Sequence, residues 1–434
     1  MNIAIAGYGL EGKSNYKYWD SIMQSAGGDY SITIVDENNI TDAPVDAAVI
    51  SGPGAFGKLN GFDLVVRTAG LSSFKIKTDG RVWSATNEFF EKCPAKIIGV
   101  TGSKGKGTTA SLIASILKSA GKKVWLVGNI GLPALDILDK VEADDIVVYE
   151  LSSFQLWDLQ RSPQVGVVLY IEPEHLDVHK DLDDYIKAKS NIAINQTTVD
   201  RLVYNSNNEF SVSISQKSVG QRLPYPYERG AHVKGDYFYY GDIELCNIDN
   251  LLLPGRHNLD NACAAITATW PWVQDGEDIA EGLRGFDGLP HRLKFVREVA
   301  GVSYYDDSIA TTPGSAIAAI KSFANPKVLI LGGSYKGADF TDLATEIAKT
   351  DSKVKSVLLI GDEADRIAEA LEAASYTNYK KIIGLEFKEV VKYASSISVS
   401  GDVVVLSPAC ASFGQFKNYV DRGEQFIKAV ASLA

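Results

Sequence analysis

The feature that most constrains the fold is a repeated pattern in which a short apolar run ends at a polar or glycine-rich turn and a helical pattern follows. Runs of this kind occupy residues 2–6, 96–100, 145–149, 327–331 and 402–406. Strands that alternate with helices usually form parallel sheets with both faces covered. The chain is therefore predicted to be an α/β protein built mainly on parallel sheets.

The length of 434 residues exceeds what one hydrophobic core usually serves. We predict three domains: a Rossmann-like N-terminal domain over 1–93, a central P-loop ATPase-type domain over 94–298 and a Rossmann-like C-terminal domain over 299–434. Two aromatic or apolar runs, 237–240 and 243–245, flank Gly241-Asp242. Because such a dipeptide favours a hairpin, the central domain should carry an antiparallel extension.

Composition narrows the classes of partner. A net charge of −11 argues against binding to nucleic acid or to anionic membranes. No run reaches transmembrane length and no signal peptide is recognisable, so we expect a cytoplasmic monomer without membrane insertion. The four cysteines show no CxxC pair, which favours reduced, mostly structural thiols.

The first glycine-rich turn, Gly7-Tyr-Gly9-Leu-Glu-Gly12, follows an apolar run, and Asp36 ends the next one. This spacing matches the dinucleotide-binding fingerprint, in which glycines let the backbone approach a pyrophosphate at a helix N-terminus. Three interpretations stay open: an NAD site, a site for another nucleotide diphosphate, and a purely structural turn.

A second loop spans Gly99–Ser111 and resembles a phosphate-binding loop that departs from the usual consensus sequence. Val100 and Gly107 stand where G-x-x-x-x-G-K-[ST] has its first glycine and its magnesium-binding hydroxyl. Gly102, Gly105 and Gly107 leave main-chain N–H groups free for phosphate oxygens, and Lys106 supplies a positive charge. A structural glycine turn is the alternative; Lys104 is expected to be solvated.

Metal ligands are predicted where two later strands end. Glu150 closes the run Val147-Val-Tyr-Glu150, and Glu174-His175-Leu-Asp177 follows the next strand. Both segments should reach the carboxyl edge of a parallel sheet, where two carboxylates and an imidazole suit Mg²⁺ beside ATP. A solvated strand-end acid is the alternative for Glu150. His179 is expected to be an exposed surface histidine.

Three further segments carry candidate polar contacts. Asn258 and Asn261 can share a helix face toward a purine or phosphate, although N-capping explains one asparagine equally well. Arg292 can reach a γ-phosphate or form an interdomain salt bridge. In the last domain, Lys336 and nearby hydroxyls can hold a small carboxylate, whereas Cys410 is expected to be a buried structural thiol.

Taken in order, these motifs resemble the Mur ligase family of ATP-dependent amide-bond-forming enzymes. The resemblance spans essentially the whole chain. The matching segments are Thr101–Lys106, Gly128–Pro133, Glu150–Gln155, Glu174–Asp177, Pro254–Asn261, Gly288–Arg292 and Ser407–Ser412.

The resemblance implies ATP and Mg²⁺ as cofactors and the joining of glutamate to UDP-N-acetylmuramoyl-L-alanine through an acyl phosphate in peptidoglycan precursor synthesis. D-Glutamate is the family default and L-glutamate the variant. Another Mur or folylpolyglutamate-type ligase is an alternative, and an NAD-dependent oxidoreductase would leave Lys106, Glu150 and His175 unexplained.

The resemblance also assigns roles. The implied catalytic residues are Lys106, His175, Lys189 and Arg292, and the implied metal ligands are Thr108, Glu150, His175 and Lys189. ATP would contact Gly102, Ser103, Gly105, Lys106, Gly107, Thr108, Asn258, Asn261, Arg292 and Asp307. The UDP-linked substrate would contact Leu10, Glu11, Asp36, Asn129 and Ser152, and glutamate would contact Thr311, Lys336, Ser412 and Tyr419.

The family uses a carbamylated lysine as a metal-directed group, and the matching position is Lys189 rather than Lys187. Some positions depart from the family pattern. Gly107 lacks a metal-binding hydroxyl, and Ile309 stands where many relatives carry lysine.

Overall fold

The computed structural model describes residues 1–129, 132–175, 178–335 and 337–433. Its internal contacts divide the chain into two compact units. The first unit comprises Met1–Leu251 with Leu259–Phe286, and the second comprises Leu252–Asn258 with Asp287–Ala434. The α/β class with parallel sheets is confirmed by the strand pairing in both units.

The first unit begins with a five-stranded parallel sheet in the order β3-β2-β1-β4-β5. Its strands are β1 (Asn2–Ala6), β2 (Ser31–Asp36), β3 (Ala48–Ser51), β4 (Leu64–Arg67) and β5 (Arg81–Ser84). The accompanying helices are α1 (Leu10–Ala26) and α2 (Ala85–Lys92). Because β2 and β3 lie on one side of β1 and β4 lies on the other, the glycine turn after β1 is at the point where the strand order reverses.

The second sheet of this unit has six parallel strands in the order β11-β10-β9-β6-β8-β7. The strands are β6 (Lys96–Thr101), β7 (Val124–Gly128), β8 (Ile146–Glu150), β9 (Val165–Val168), β10 (Arg201–Asn205) and β11 (Gln221–Tyr225). The helices of this region are α3 (Lys106–Ser119), α4 (Ser153–Leu156), α5 (Leu182–Ile194), α6 (Glu209–Ser215), α7 (His257–Thr269) and α8 (Gly276–Arg284). Because β7 and β8 lie on one side of β6 and β9 lies on the other, the strand order reverses at β6, and open α/β sheets bind ligands at the carboxyl end of such a strand.

The predicted hairpin is confirmed. Strands β12 (Ala231–Lys234), β13 (Tyr237–Tyr240) and β14 (Ile243–Asn247) form an antiparallel sheet, and Gly241-Asp242 joins the last two. Tyr240 stacks on Trp270, with 3.7 Å between the ring centroids. This stacking attaches the small sheet to the end of α7.

The second unit contains a six-stranded sheet in the order β15-β16-β20-β17-β18-β19, with only β15 antiparallel to its neighbour. Its strands are β15 (Lys294–Val299), β16 (Val302–Asp306), β17 (Lys327–Gly332), β18 (Val354–Ile360), β19 (Tyr379–Lys381) and β20 (Val403–Leu406). Its helices are α9 (Pro313–Lys321), α10 (Thr341–Ala348), α11 (Ala364–Ala373), α12 (Phe387–Ile397) and α13 (Tyr419–Ala431).

The apolar runs that predicted strands are the buried centres of these sheets. Val147, Val148, Leu329, Ile330 and Val405 are all fully inaccessible to solvent. All four cysteines are free thiols, and burial raises the pKa of Cys410 to about 12, as expected for a structural thiol. No helix in the described ranges is long and apolar enough to span a membrane.

Candidate active site

The glycine loop after β6 leads directly into α3. The main-chain N–H of Ser103 donates to the Tyr170 oxygen at 2.9 Å, and the Ser103 hydroxyl donates to the Glu172 oxygen at 2.8 Å. Ser103 thus holds the loop against the segment after β9. Gly105 has a φ of +83° and caps α3, whose first N–H groups have no partner within the helix. This end of α3 is therefore suited to an anion such as phosphate.

Lys106 and Lys189 reach this loop from different helices. Lys106 Nζ donates to the main-chain oxygens of Gly102 at 3.1 Å and Ser103 at 2.8 Å. Lys189 Nζ, which is fully buried, donates to Gly102 O at 2.8 Å and to Thr101 Oγ1 at 3.2 Å. Burial lowers the pKa of Lys189 well below its usual range, and the charge of Lys106 lowers it further.

The predicted metal ligands satisfy only part of what Mg²⁺ requires. Glu150 is buried at the end of β8 and pairs in register with Val100 of β6 and Gly128 of β7. Thr108 is also buried, whereas His175 is exposed, with its ring 5.1 Å from that of Phe154. Among the residues that the structure describes, no three His, Cys, Asp or Glu side chains form a metal-binding group. The residues that would hold Mg²⁺ thus include two buried oxygen donors, Glu150 and Thr108, and one exposed imidazole, His175.

The expectation that His179 is an exposed surface histidine is wrong. Its ring is buried, with Nδ1 3.0 Å from Asp184 Oδ2 and Nε2 2.9 Å from Ser153 Oγ. The ring also stacks on Phe154 at 5.4 Å between centroids. Burial lowers the pKa of His179 although Asp184 opposes the shift. These contacts come from α4 and α5, which no local pattern around His179 reveals.

The two predicted amide contacts have different surroundings. A Cβ atom on Gly105 would lie 2.5 Å from Asn261 Oδ1, which also accepts from the Thr109 hydroxyl at 3.3 Å. Asn261 therefore lies directly against the glycine loop. Asn258, which belongs to the second unit, is buried and donates from its side-chain amide to the Pro254 oxygen at 2.7 Å.

The residues predicted to hold the UDP-linked substrate are distributed over two sheet edges of the first unit. Asp36 Oδ2 accepts from the Tyr8 N–H at 2.7 Å and so supports the first glycine turn. Glu11 accepts from the Ala69 N–H at 2.9 Å, and burial raises its pKa. Leu10 and Asn129 are exposed, and Ser152 forms a capping box with Gln155 at the start of α4.

In the second unit, Asp307 is buried at the end of β16. Its carboxylate accepts from the Ser407 hydroxyl at 2.7 Å and from the Leu293 N–H at 3.1 Å. Burial raises its pKa to about 7, while its hydrogen bonds and Arg292 act in the opposite direction. Arg292 itself is exposed.

The segments predicted to bind glutamate end at the same edge of this sheet or begin the helices beside it. Ser412 is buried, Thr311 is half-buried, and Tyr419, the first residue of α13, is 37% exposed. Lys336, also predicted for this site, lies outside the described residues.

Comparison with known proteins decides the family. Residues 100–269 match the Mur ligase middle domain, and residues 291–410 match the glutamate ligase domain of Mur ligases. The UDP-N-acetylmuramoylalanine–D-glutamate ligase of Clostridium tetani is 37% identical over 92% of this chain and 89% of that protein. The enzyme of the same name from Acetivibrio thermocellus is 40% identical over 88% of this chain and 85% of its own length.

The chain belongs to the Mur ligase family.

Membership makes it an ATP-dependent ligase and not an oxidoreductase. The fold agrees with this assignment. A solved MurF ligase from Thermotoga maritima, in complex with ADP, has a TM-score of 0.59 at 18% identity and covers 99% of this chain and 95% of that chain.

Sequence reasoning missed one buried residue that organises this Mur ligase. Arg422 of α13 is completely buried and donates to the Ser308 hydroxyl at 2.9 Å, to the Ser308 oxygen at 2.8 Å and to the Cys410 oxygen at 3.2 Å. The Ser308 hydroxyl in turn donates to the Tyr419 oxygen. Arg422 thus ties together the segments that carry Asp307, Ser412 and Tyr419. An arginine on an ordinary helical pattern gives no local signal of this role.

Proposed function

We propose that this Mur ligase joins D-glutamate to UDP-N-acetylmuramoyl-L-alanine with hydrolysis of ATP to ADP and phosphate. The observation that carries the proposal is the convergence of Lys106 and Lys189 on the glycine loop, at the sheet edge where Glu150 ends β8. The names of the relatives that cover most of the chain support the choice of substrates.

The proposed reaction has two steps. An oxygen of the alanyl carboxylate attacks the γ-phosphorus of ATP, ADP leaves, and an acyl phosphate forms. The glutamate amine then attacks the acyl carbon. The bond between this carbon and the phosphate oxygen breaks, inorganic phosphate leaves, and the nitrogen loses a proton as the amide forms. Phosphoryl transfer depends mainly on positioning and charge neutralisation, which Lys106, the start of α3 and Arg292 would supply.

The proposal assigns carbamylation to Lys189. Only a neutral amine can attack carbon dioxide, and burial keeps the pKa of this lysine low. A new N–C bond with loss of a proton would turn the amine into an anionic carbamate. Lys187, two residues earlier, is exposed and has no such environment.

The remaining assignments also belong to the proposal. Mg²⁺ would be held by Glu150, His175, carbamylated Lys189 and Thr108, as the family resemblance implies, and EDTA should stop turnover. The three larger sheets would mark the predicted domains 1–93, 94–298 and 299–434, and the last sheet starts a few residues before 299, because β15 begins at Lys294. The enzyme would work as a monomer in the cytoplasm, where ATP and UDP-linked precursors are found.

The decisive experiment measures phosphate release from ATP with UDP-N-acetylmuramoyl-L-alanine and either D-glutamate or L-glutamate. We expect release that requires the muramoyl substrate and D-glutamate together. Release with the muramoyl substrate and L-glutamate, but not with D-glutamate, would show that the enzyme belongs to the L-glutamate variant. No release with either amino acid would contradict the proposed function.

A further inference from the structure

The backbone on both sides of Arg292 is strained. His291 has a φ of +60° and Leu293 a φ of +44°, although neither residue is glycine. Side chains of L-residues disfavour this left-handed region, and such conformations persist only where surrounding contacts enforce them. We call residues 291–293 the strap. Contacts with the rest of the protein must hold the strap in this conformation.

Three contacts hold the strap to the end of β16. His291 Nδ1 lies 2.6 Å from Asp306 Oδ2, and the His291 main-chain oxygen accepts from the Ile309 N–H at 3.0 Å. The Leu293 N–H donates to Asp307 Oδ1 at 3.1 Å. Two consecutive carboxylates thus fix the residue before and the residue after Arg292.

The neighbouring helix is shaped to admit the His291 ring. A Cβ atom on Gly423 of α13 would lie 2.1 Å from His291 Nδ1, so a larger residue there would push the ring away. The ring is buried and Asp306 is completely buried. In contrast, Arg292 between the two anchors is exposed. The anchors are thus enclosed by protein, while the side chain between them is exposed to solvent.

We propose that His291, Asp306 and Asp307 are positioning residues that hold the main chain of Arg292 in one preset orientation. The proposal rests on the proposed function, in which Arg292 neutralises charge on the transferred phosphoryl group. A guanidinium whose Cα is fixed loses less freedom when it meets an anion, and preset charges stabilise a transition state more effectively than mobile ones. The Asp307 carboxylate acts here through Leu293.

A double-mutant cycle tests the link between the strap and Arg292. We expect His291→Ala and Arg292→Ala each to lower kcat by about tenfold or more, with smaller changes in the KM for glutamate. The double variant should be no slower than Arg292→Ala alone, because a positioning residue has nothing to position once the guanidinium is gone. Losses that multiply in the double variant would overturn the proposal.

Two further variants separate this role from general stability. His291→Asn should keep most of the activity, since asparagine tolerates a positive φ and its Nδ2 can donate to Asp306 in place of the ring nitrogen. Lys294→Ala is the matched control, because Lys294 directly follows the strap and pairs with the exposed Asp287. It should leave kcat unchanged; a loss equal to that of His291→Ala would contradict the proposal.

Hydrogen–deuterium exchange tests the strap without any turnover. We expect His291→Ala to speed exchange of the amides of 291–293 by about tenfold, and His291→Asn and Lys294→Ala to leave it near the wild-type rate. Unchanged exchange in His291→Ala would overturn the proposal even in an active enzyme. Wild-type protein that releases no phosphate would instead contradict the proposed function, while the exchange result would still decide whether the strap is anchored.

Discussion

Lys106 and Lys189 donate to the same main-chain oxygen of Gly102, at 3.1 and 2.8 Å. Burial lowers the pKa of Lys189, since desolvation penalises its charged form, and the charge of Lys106 beside it lowers that pKa further. Lys106 itself is only half-buried. The two lysines therefore share one acceptor in different surroundings, and the lowered pKa belongs to the buried one.

Lys106→Ala should lower kcat about 10²–10³-fold, because a fixed charge beside the phosphates would be lost. The matched control is Lys104→Ala, since Lys104 lies two residues earlier, is 65% exposed and pairs with Glu172. This control should retain near-normal turnover in the same phosphate-release assay. Near-normal activity of Lys106→Ala would show that the loop is structural.

Activity should depend on bicarbonate if Lys189 is carbamylated. Enzyme stripped of carbon dioxide should regain turnover when bicarbonate is added, and a carbamate carbon should be visible by NMR with labelled bicarbonate. Lys187→Ala should respond like the wild type, whereas Lys189→Ala should stay inactive at every bicarbonate concentration. A carbamate signal that survives in Lys189→Ala would place the modification on another residue.

The two histidines after β9 should differ sharply in their contribution to stability. His179→Ala should lower the free energy of unfolding by about 2–4 kcal/mol, because it removes a buried ring and leaves Ser153 and Asp184 without their partner. His175→Ala should change it by less than about 0.5 kcal/mol, since His175 is exposed. Urea denaturation of both variants measures the difference, and equal losses would refute the buried network.

Asp307→Asn should gain stability relative to the wild type as the pH rises. Burial raises the pKa of Asp307 from 3.8 to about 7. Between pH 3.8 and pH 7 the carboxyl is ionised in the unfolded chain but still protonated in the folded one, so the free energy of unfolding of the wild type falls as the pH rises through this range. Asparagine has no proton to lose, and it can still accept from Leu293 and donate to Ser407. The gain in the free energy of unfolding should reach at most about 4 kcal/mol above pH 7.

The measurement is the difference in Tm between Asp307→Asn and the wild type from pH 4 to pH 8. Asp306, whose pKa burial also raises, is present in both proteins, so any matching contribution should largely cancel. A difference that stays constant across this range would show that the Asp307 carboxyl does not titrate there.

Gly105→Ala should impair nucleotide binding beyond its cost in stability. The alanine would have to adopt a φ of +83°, and its Cβ atom would lie 2.5 Å from Asn261 Oδ1. Gly121, beyond the other end of α3, has a φ of +73° with nothing within 4 Å of an added Cβ, so Gly121→Ala is the control. Both variants should lose about 1–2 kcal/mol of stability, but only Gly105→Ala should raise the Kd for ATP. Equal Kd values would show that the contact with Asn261 does not shape the loop.

Some elements of the site were predictable from local sequence. The apolar run before Glu150 ends as β8 at that residue, and the glycines after β6 form the loop that precedes α3. The hairpin around Gly241-Asp242 also has the predicted pairing. These features depend on hydrophobic periodicity and on the backbone freedom of glycine, which are properties of a few consecutive residues.

Other features could not be read from local patterns. His179 was expected at the surface but is enclosed by Ser153 and Asp184 from α4 and α5. Arg422 lies on an unremarkable helix and still connects three segments of the second unit. Ser153 lies 26 residues from His179 and Ser308 lies 114 residues from Arg422, and no spacing rule links a side chain to partners at such distances.

The sequence by itself determined the order of strands, glycine loops and helices, and its motifs pointed to a family of ATP-dependent ligases. Only the tertiary structure decided that Lys106 and Lys189 share one oxygen atom, and that the strap is clamped by Asp306 and Asp307. The physical reason is that secondary structure follows from neighbouring residues, whereas desolvation, pKa shifts and backbone strain depend on groups that meet only when the chain is folded.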